Sequence, residues 1–430
     1  MKPLKLLFLI FLFLSVAGTF YQVFFNVPQL EQIDLRNRIV ASRLTETGHS
    51  PYHYKWKPGD SQRLLNRREF TTGFSEMPVT YTTVSPSVLL IHQPLSKFNY
   101  LVIKNIWLWL QLAFLLFMIL WFAYTSERGN EALKIWVLFT GCLFSIGFAW
   151  HLHLSVGQFY IIYPFIMTLA FASAICDKKV LKFAGGFLAG MAILFRPSFA
   201  IFFLPFIFNR QYLMLVGALS GVATGILIFV LPYIILWEQY LDAMKFWATY
   251  NILGGGNLSG LSTPQWLPDT VEGFSPSEGS PFRGRIENTS IQYLFFKFAN
   301  IELTSIYLTG MLFLVISSVF IFLRKRLFRL SITGIFLLGA CLVIVSDFFL
   351  PAPRMPYNAV QWIFPLLLVS MYFKRNFNYI NILIVSGLVL NLSSVWWLQY
   401  NMWLGEILIF SGILLFIKED DSELVKSITA

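Results

Sequence analysis

Charge is scarce in this sequence. Asp, Glu, Lys and Arg make up 13% of its 430 residues and hydrophobic residues 57%, whereas a soluble globular domain carries about a quarter charged residues. Water is thereby excluded as the solvent of most of its surface. Cysteine is sparse as well. Cys142, Cys176 and Cys341 each lie in or beside an apolar run, without the spacing of metal ligands. A disulfide framework and a zinc cluster are excluded, and the three read as packing residues. No Asp-x-Asp pair occurs either.

What is abundant is apolar sequence in lengths that suit a bilayer. Runs near 20 residues, enough for about 30 Å of hydrocarbon, recur from end to end. They predict an all-α, polytopic transmembrane helical bundle of about twelve spans, with 10 and 13 as bounds. The spans fall near 5–25, 101–124, 133–150, 159–176, 183–196, 198–209, 212–236, 302–323, 330–349, 357–373, 379–398 and 403–417. The fifth and sixth are short and meet at Arg196-Pro197. They read either as a helical hairpin that does not cross fully or as two tilted helices. Lys2 and Lys5 ahead of an apolar stretch are compatible with a secretory signal. Apolar character continues through Phe20 and Phe25, however, and Val16 to Gly18 is a poor cleavage site, which favours an uncleaved first span. The 45 Phe residues are then mostly lipid-facing and packing material.

The formal charge of +10 would suggest nucleic acid in a soluble protein. Here much of the basic excess sits in short connections. With the amino terminus inside, Lys178, Lys179, Lys182, Arg210, Arg324, Lys325, Arg326, Arg329, Lys374, Arg375 and Lys418 all fall on the cytoplasmic face, as the positive-inside rule requires. The expectation is one integral membrane domain over 1–430 with both termini cytoplasmic. It has outer-face loops at about 26–100 and 237–301 and a short tail at 418–430. Val88 to Leu101, interrupted by Pro94, reads as one or two helices lying at the membrane surface. Trp237 to Ile252 places Trp237, Leu241, Met244 and Trp247 on a helical period, a second interfacial helix candidate. Gly254-Gly255-Gly256 and the stretch through Gly284 then read as loop.

Polar groups near the membrane carry the functional information, because hydrocarbon penalises a charge by roughly 2.5–3.5 kcal/mol. Asp34 lies just beyond the first span, ahead of a helical stretch reaching Leu44. Its carboxylate is suited to accept a proton from an incoming hydroxyl if its surroundings tune it; the alternative is a surface pair with Arg38 at i+4. Arg196, between an apolar run and Pro197, either reaches a phosphate at the lipid interface or snorkels to the headgroups. His151 and His153 form a His-x-His without a third ligand, which leaves phosphate-facing or structural roles open. Gly157 permits close helix approach, and Gln158 can bridge a sugar hydroxyl or a neighbouring helix. Arg283, Arg285 and Asn288 precede the eighth span and Arg354 the tenth, so all four can converge on an outer cavity. Asn257, Asn288 and Asn391 match the glycosylation pattern, Asn391 within a span.

Several of these landmarks fall into an order. After the first span come Asp34-Leu35, the small-residue stretch Ala41-Ser42-Arg43-Leu44, and Gly48-His49-Ser50-Pro51-Tyr52. Tyr81 through Ser85-Pro86 and Pro94-Leu95 follow, then Leu154-Ser155-Val156-Gly157-Gln158, Ala184-Gly185-Gly186 through Ala192, Arg196-Pro197 and Asn288-Thr289-Ser290. Over residues 1–300 this succession resembles glycosyltransferase family 87, bacterial α-mannosyltransferases that use a polyprenyl-phosphate sugar donor, with the wider GT-C architecture. The chain lacks the family's paired prolines after Tyr81, and Arg196 stands where the family commonly has Lys. The last 130 residues agree mainly as spans.

The resemblance implies a polyprenyl-phosphate-sugar-dependent hexosyltransferase of the bacterial cytoplasmic membrane, with its active site on the outer face. Asp34 would be the general base of an inverting transfer. Tyr52, Tyr81, His151, His153, Gln158, Arg196, Arg283, Arg285, Asn288 and Arg354 would contact substrates, the cations and histidines among them stabilising the departing phosphate. The scheme needs no cofactor and no metal. Its partners are a polyprenyl-phosphate sugar donor, mannose by family majority, a glycolipid or glycan acceptor, and membrane lipids, with no nucleic acid. The competing expectations are a transporter or flippase of lipid-linked sugars, disfavoured by the absence of an evident internal repeat, and a GT-C ligase with another donor.

Overall fold

The computed structural model describes residues 2–30, 32–54, 82–127, 131–252, 288–352, 354–373, 378–392 and 400–419. Tyr81, Arg283, Arg285 and the glycine triplet at 254–256 lie outside the described residues. Among those described there is no strand.

The first helix, α1 (Lys2–Tyr21), runs on through a π turn at Gln22–Asn26 and a 3-10 turn at Val27–Gln29. Pro28 explains the irregularity. It has no N–H to donate and crowds the carbonyl four residues back, and a widened turn just before it relieves the clash. Next come α2 (Ile33–Glu46), α3 (Pro86–Ser96) and the long α4 (Tyr100–Glu127). The next apolar run is broken: α5 (Glu131–Ser145) and α6 (Phe148–Val156) meet at 54°. His151 and His153 lie on the second limb, where an unbroken span to residue 150 was expected. Then follow α7 (Ile162–Ala174), α8 (Lys179–Phe195), a 3-10 segment at Pro197–Phe203 and α9 (Leu204–Phe208).

Helix α10 (Tyr212–Gly225) passes through a π turn at Ile226–Val230 and a 3-10 turn at Leu231–Tyr233 into α11 (Ile234–Ile252). Pro232 here repeats the arrangement at Pro28. The stretch expected to be a separate interfacial helix from Trp237 is therefore the continuation of a 34-residue apolar helix, Tyr212–Lys245. The chain closes with α12 (Ile291–Ala299), α13 (Ser305–Phe322), α14 (Ile332–Ser346), a 3-10 segment at Pro356–Trp362, α15 (Ile363–Ser370), α16 (Tyr379–Leu390) and α17 (Asn401–Glu419).

Among the described residues six helices are long and apolar enough to cross a membrane, seven if the bent pair counts as one span. The protein is a helical multi-pass membrane protein. The remaining apolar runs form shorter helices such as Ile162–Ala174 and Tyr379–Leu390. At 1.5 Å per residue, a 13-residue helix is only about 20 Å long. Burial ranks the long helices. Ile332–Phe349 is 83% buried and forms the centre, whereas Leu6–Gln29 and Ser305–Phe322 are 11% buried and stand at the periphery.

Two local features position the site. Helices α8 and α10 pack backbone to backbone: a Cβ on Gly186 would lie 2.1 Å from the Met214 carbonyl oxygen, and one on Gly221 would lie 2.2 Å from that of Phe187. Only glycine permits this approach, which is how small-residue helix pairs associate in lipid. Helix α3, from the stretch expected at the membrane surface, packs against α2. Val88, Leu89, Leu90 and His92 are buried, and Ser42 donates to the Leu89 carbonyl at 2.9 Å. Pro94 sits inside α3 without breaking it, because the helix ends two residues later.

Candidate functional site

The site is built around a left-handed turn. Helix α6 ends at Gly157, φ +71°, and a Cβ there would lie 2.7 Å from that of Leu35 and 2.9 Å from that of Gln32. Glycine is thus required twice over, for the left-handed backbone and for the approach of α2. The turn delivers Gln158, whose amide Nε2 donates to Asp34 Oδ2 at 2.5 Å. The neighbouring backbone is tied down on both sides. Gln32 Nε2 donates to the Leu154 carbonyl at 2.8 Å, and Trp107 Nε1 to the Gly157 carbonyl at 3.2 Å.

Arg38 lies one turn along α2 from Asp34 and is buried, 2% exposed. It donates to Gln158 Oε1 at 3.3 Å and to the Gly157 carbonyl, and its guanidinium stands over the rings of Phe159 (5.1 Å) and Trp107 (5.8 Å). Arg38 forms no ion pair with Asp34 among the described residues; it acts on that carboxylate through space, from the interior rather than from the surface. Asp34 itself stays partly exposed while Leu35 through Leu44 are buried. Burial pushes its carboxyl above the ordinary carboxylate value, with Arg38 and the Gln158 hydrogen bond opposing the rise. His92, against Trp107, has its pKa lowered to about 3 by burial and by Arg38, and its Nδ1 donates to the Val88 carbonyl at 2.7 Å. It is a neutral wall beside the Arg38 cation.

A tyrosine pair links Asp34 to Arg196. Tyr357 is in electrostatic reach of Asp34 and lies beside the Gln158 side chain. Its ring stacks on Tyr160 at 5.9 Å, and the Arg196 guanidinium lies 5.5 Å from the rings of both Tyr160 and Tyr163. Tyr160, Tyr357, Arg196 and Asp34 are all partly exposed, so the run of contacts from Asp34 to Arg196 reaches the surface. The backbone of Arg196 is extended, φ −152° and ψ 102°, as expected of a residue before proline. That break turns its side chain inward. Arg196 forms an ion pair with Asp347 and donates to Gln361 Oε1 at 2.7 Å, and Gln361 Nε2 donates to Asp347 Oδ2 at 2.7 Å. It is therefore a fixed cation rather than one snorkelling to the headgroups.

The other expected site residues divide. Arg354 is 1% exposed and grips Glu406 with both ends of its fork, at 3.0 and 2.5 Å, with Thr289 Oγ1 also at 3.0 Å. Trp362 Nε1 donates to the same carboxylate at 2.7 Å. Removing one partner from such a buried pair costs about 3–5 kcal/mol, so Arg354 acts here as a clamp. Asn288 Oδ1 accepts from the backbone N–H of Ser290 and of Arg354, each at 3.0 Å. The Asn288-Thr289-Ser290 element thus joins the start of α12 to the 354 segment. His153 is fully buried and stacked on Trp150, and His151 faces Gly18 of α1, so neither joins the run of contacts from Asp34 to Arg196. Tyr52 is buried, with its hydroxyl on the Val84 carbonyl at 2.8 Å and its ring beside Tyr240. Asp34, Gln158 and Arg196 are brought together; Tyr81, Arg283 and Arg285 lie outside the described residues.

Sequence reasoning passed over Tyr160, Tyr357, Asp347, Gln361 and Glu406. For the acids a signal existed: Asp347 ends an otherwise apolar run and Glu406 lies inside one, and a carboxylate at membrane depth implies a partner. The tyrosines, among 18 in the chain, carried none. No family model, curated protein or solved structure matches this chain.

Proposed function

We propose that this protein is a membrane glycosyltransferase that moves a hexose, mannose on the family resemblance, from a polyprenyl-phosphate donor to an acceptor hydroxyl with inversion. One observation carries the reading: a partly exposed carboxylate, Asp34, and a fixed cation, Arg196, lie at the two ends of one run of tyrosine contacts. In the proposed step the acceptor oxygen attacks the anomeric carbon as Asp34 takes its proton. The bond from that carbon to the phosphate oxygen breaks, and polyprenyl phosphate leaves with the electron pair. Phosphate is a good leaving group, so one carboxylate suffices where a glycosidase uses two. Arg196 uses donors on Asp347 and Gln361 and has others in its fork of five for the departing phosphate. Tyr160 and Tyr357 offer ring faces with a polar edge, suited to the apolar face and hydroxyls of a sugar.

In this proposal the shorter helices complete about twelve crossings or partial crossings of GT-C type. Both termini are cytoplasmic, and Asp34 and Arg196 serve the outer face of a bacterial cytoplasmic membrane. The test is transfer by purified protein from a panel of polyprenyl-phosphate sugars, wild type against Asp34→Asn. A fall of about 10²–10⁴-fold is expected for loss of a general base. Undiminished transfer by the variant would overturn the mechanism, and movement of labelled lipid between leaflets without transfer would make the protein a flippase.

A further inference from the structure

At the end of the bundle away from Asp34, two distant parts of the chain converge on a basic cleft. Helix α13 finishes at Phe322 and α17 at Glu419. Between them lies a cleft of about 520 Å³ lined by Ile321, Phe322, Leu323, Arg324, Lys325, Arg326 and Lys418. Among the described residues its lining holds four cations and no carboxylate. None of the four forms an ion pair among the described residues, and Nη1 of Arg326 is enclosed with no hydrogen-bond partner among them. An enclosed donor left unpaired is costly, and a ligand oxygen would relieve it. Lys418 Nζ is held 4.1 Å over the Phe322 ring, a contact that orients the ammonium without neutralising it.

The wall above the cleft is apolar and open. Ile306, Phe313, Leu314 and Ile321 along α13 are 64–83% exposed, so acyl chains have a surface to follow directly from the cations. A topology signal alone needs basic residues in a connection; it needs neither a concave site nor the convergence of Lys418 with residues about ninety positions earlier.

We propose that this cleft binds the phosphate headgroup of an anionic glycerophospholipid, with its acyl chains along α13. The site shares no residue with the Asp34–Arg196 site, and the proposal does not depend on the glycosyltransferase reading. Charge complementarity selects an anionic over a zwitterionic headgroup, and the apolar wall selects a lipid over free phosphate.

The test uses the full-length protein in mixed micelles, with lipid retention read by native mass spectrometry. Phosphatidylglycerol, phosphatidylcholine and inorganic phosphate are the probes. Wild type is expected to retain one phosphatidylglycerol in preference to phosphatidylcholine, and inorganic phosphate at millimolar concentration should not displace it. Arg326→Gln alone, and combined with Arg324→Gln and Lys418→Gln, should lower retention, by about tenfold for the combination. The control Arg210→Gln with Arg329→Gln, basic residues outside the cleft lining, should leave retention unchanged. Equal loss in the control would reduce the effect to diffuse surface charge and overturn the site. Displacement by inorganic phosphate would overturn the lipid assignment, and full retention by Arg326→Gln and by the combination would overturn both. Should the combined variant not insert, the wild-type competition and the single variant still decide.

Discussion

Asp34 is held under opposing influences: burial favours its protonated form, while Arg38 and Gln158 favour the carboxylate. Because burial is the larger, the group ionises above the ordinary carboxylate value, with a consequence for rate and one for stability. Catalysis by the base needs the ionised form, so activity should rise with pH along a limb displaced above the usual carboxylate range; a kcat/KM profile checks this. A limb at or below the ordinary value of 3.8 would contradict the assignment. For stability, a carboxyl whose folded pKa exceeds its unfolded one contributes most below the unfolded value, and that contribution is lost as pH rises through the folded value. Asp34→Asn removes the desolvated charge and still offers an oxygen to Gln158. The variant should therefore melt higher than wild type at neutral pH, and the gap should close below 3.8; melting curves at the two pH values test it. Lost activity with gained stability is the signature of a functional rather than structural carboxylate. The sequence exposed Asp34 and Arg38 as an i,i+4 pair but not which of its two meanings applied, because burial is not a local property.

At the scale of elements, the turn from α6 toward α7 does the positioning. Gly157 combines a left-handed φ with contact distances to Leu35 and Gln32 that no side chain fits. Gly157→Ala should push α2 away from the turn and lengthen the Gln158 to Asp34 hydrogen bond. A stability loss of about 1–3 kcal/mol is expected, with a fall in kcat larger than folding alone explains, measured on the remaining folded protein. Normal turnover would show that the turn does not set the geometry of Asp34. The Leu154-to-Gln158 motif was legible as a motif, and its glycine as a close approach. That the approaching helix is α2 depended on contacts some 120 residues apart. Element ends were the less legible part. Pro28 and Pro232 do not stop their helices but widen and tighten them, because packing and lipid favour keeping the backbone helical around the missing donor. The single run at 133–150 was broken near Gly147, where a Cβ would meet the Phe144 carbonyl at 2.9 Å.

On the scale of the whole molecule, the proposed sidedness is open to direct measurement. In a cysteine-free background, Ser50→Cys should react with a membrane-impermeant thiol reagent on intact cells, and Lys325→Cys should react only after the membrane is opened. The reverse pattern would place Asp34 on the cytoplasmic side and remove the basis for an outer acceptor. By itself the sequence determined the solvent, the helical class and the location of the apolar runs, since hydrocarbon thickness and backbone hydrogen bonding leave a chain of this composition few alternatives. It also nominated Asp34, Gln158 and Arg196. Only the tertiary structure decided their company. It faced Arg196 with Asp347, gave Arg354 to Glu406, placed Tyr160 and Tyr357 between Asp34 and Arg196, and left Lys418 beside Arg326. Those choices depend on which helices meet and at what depth, a matter of side-chain packing among distant segments that local pattern does not encode.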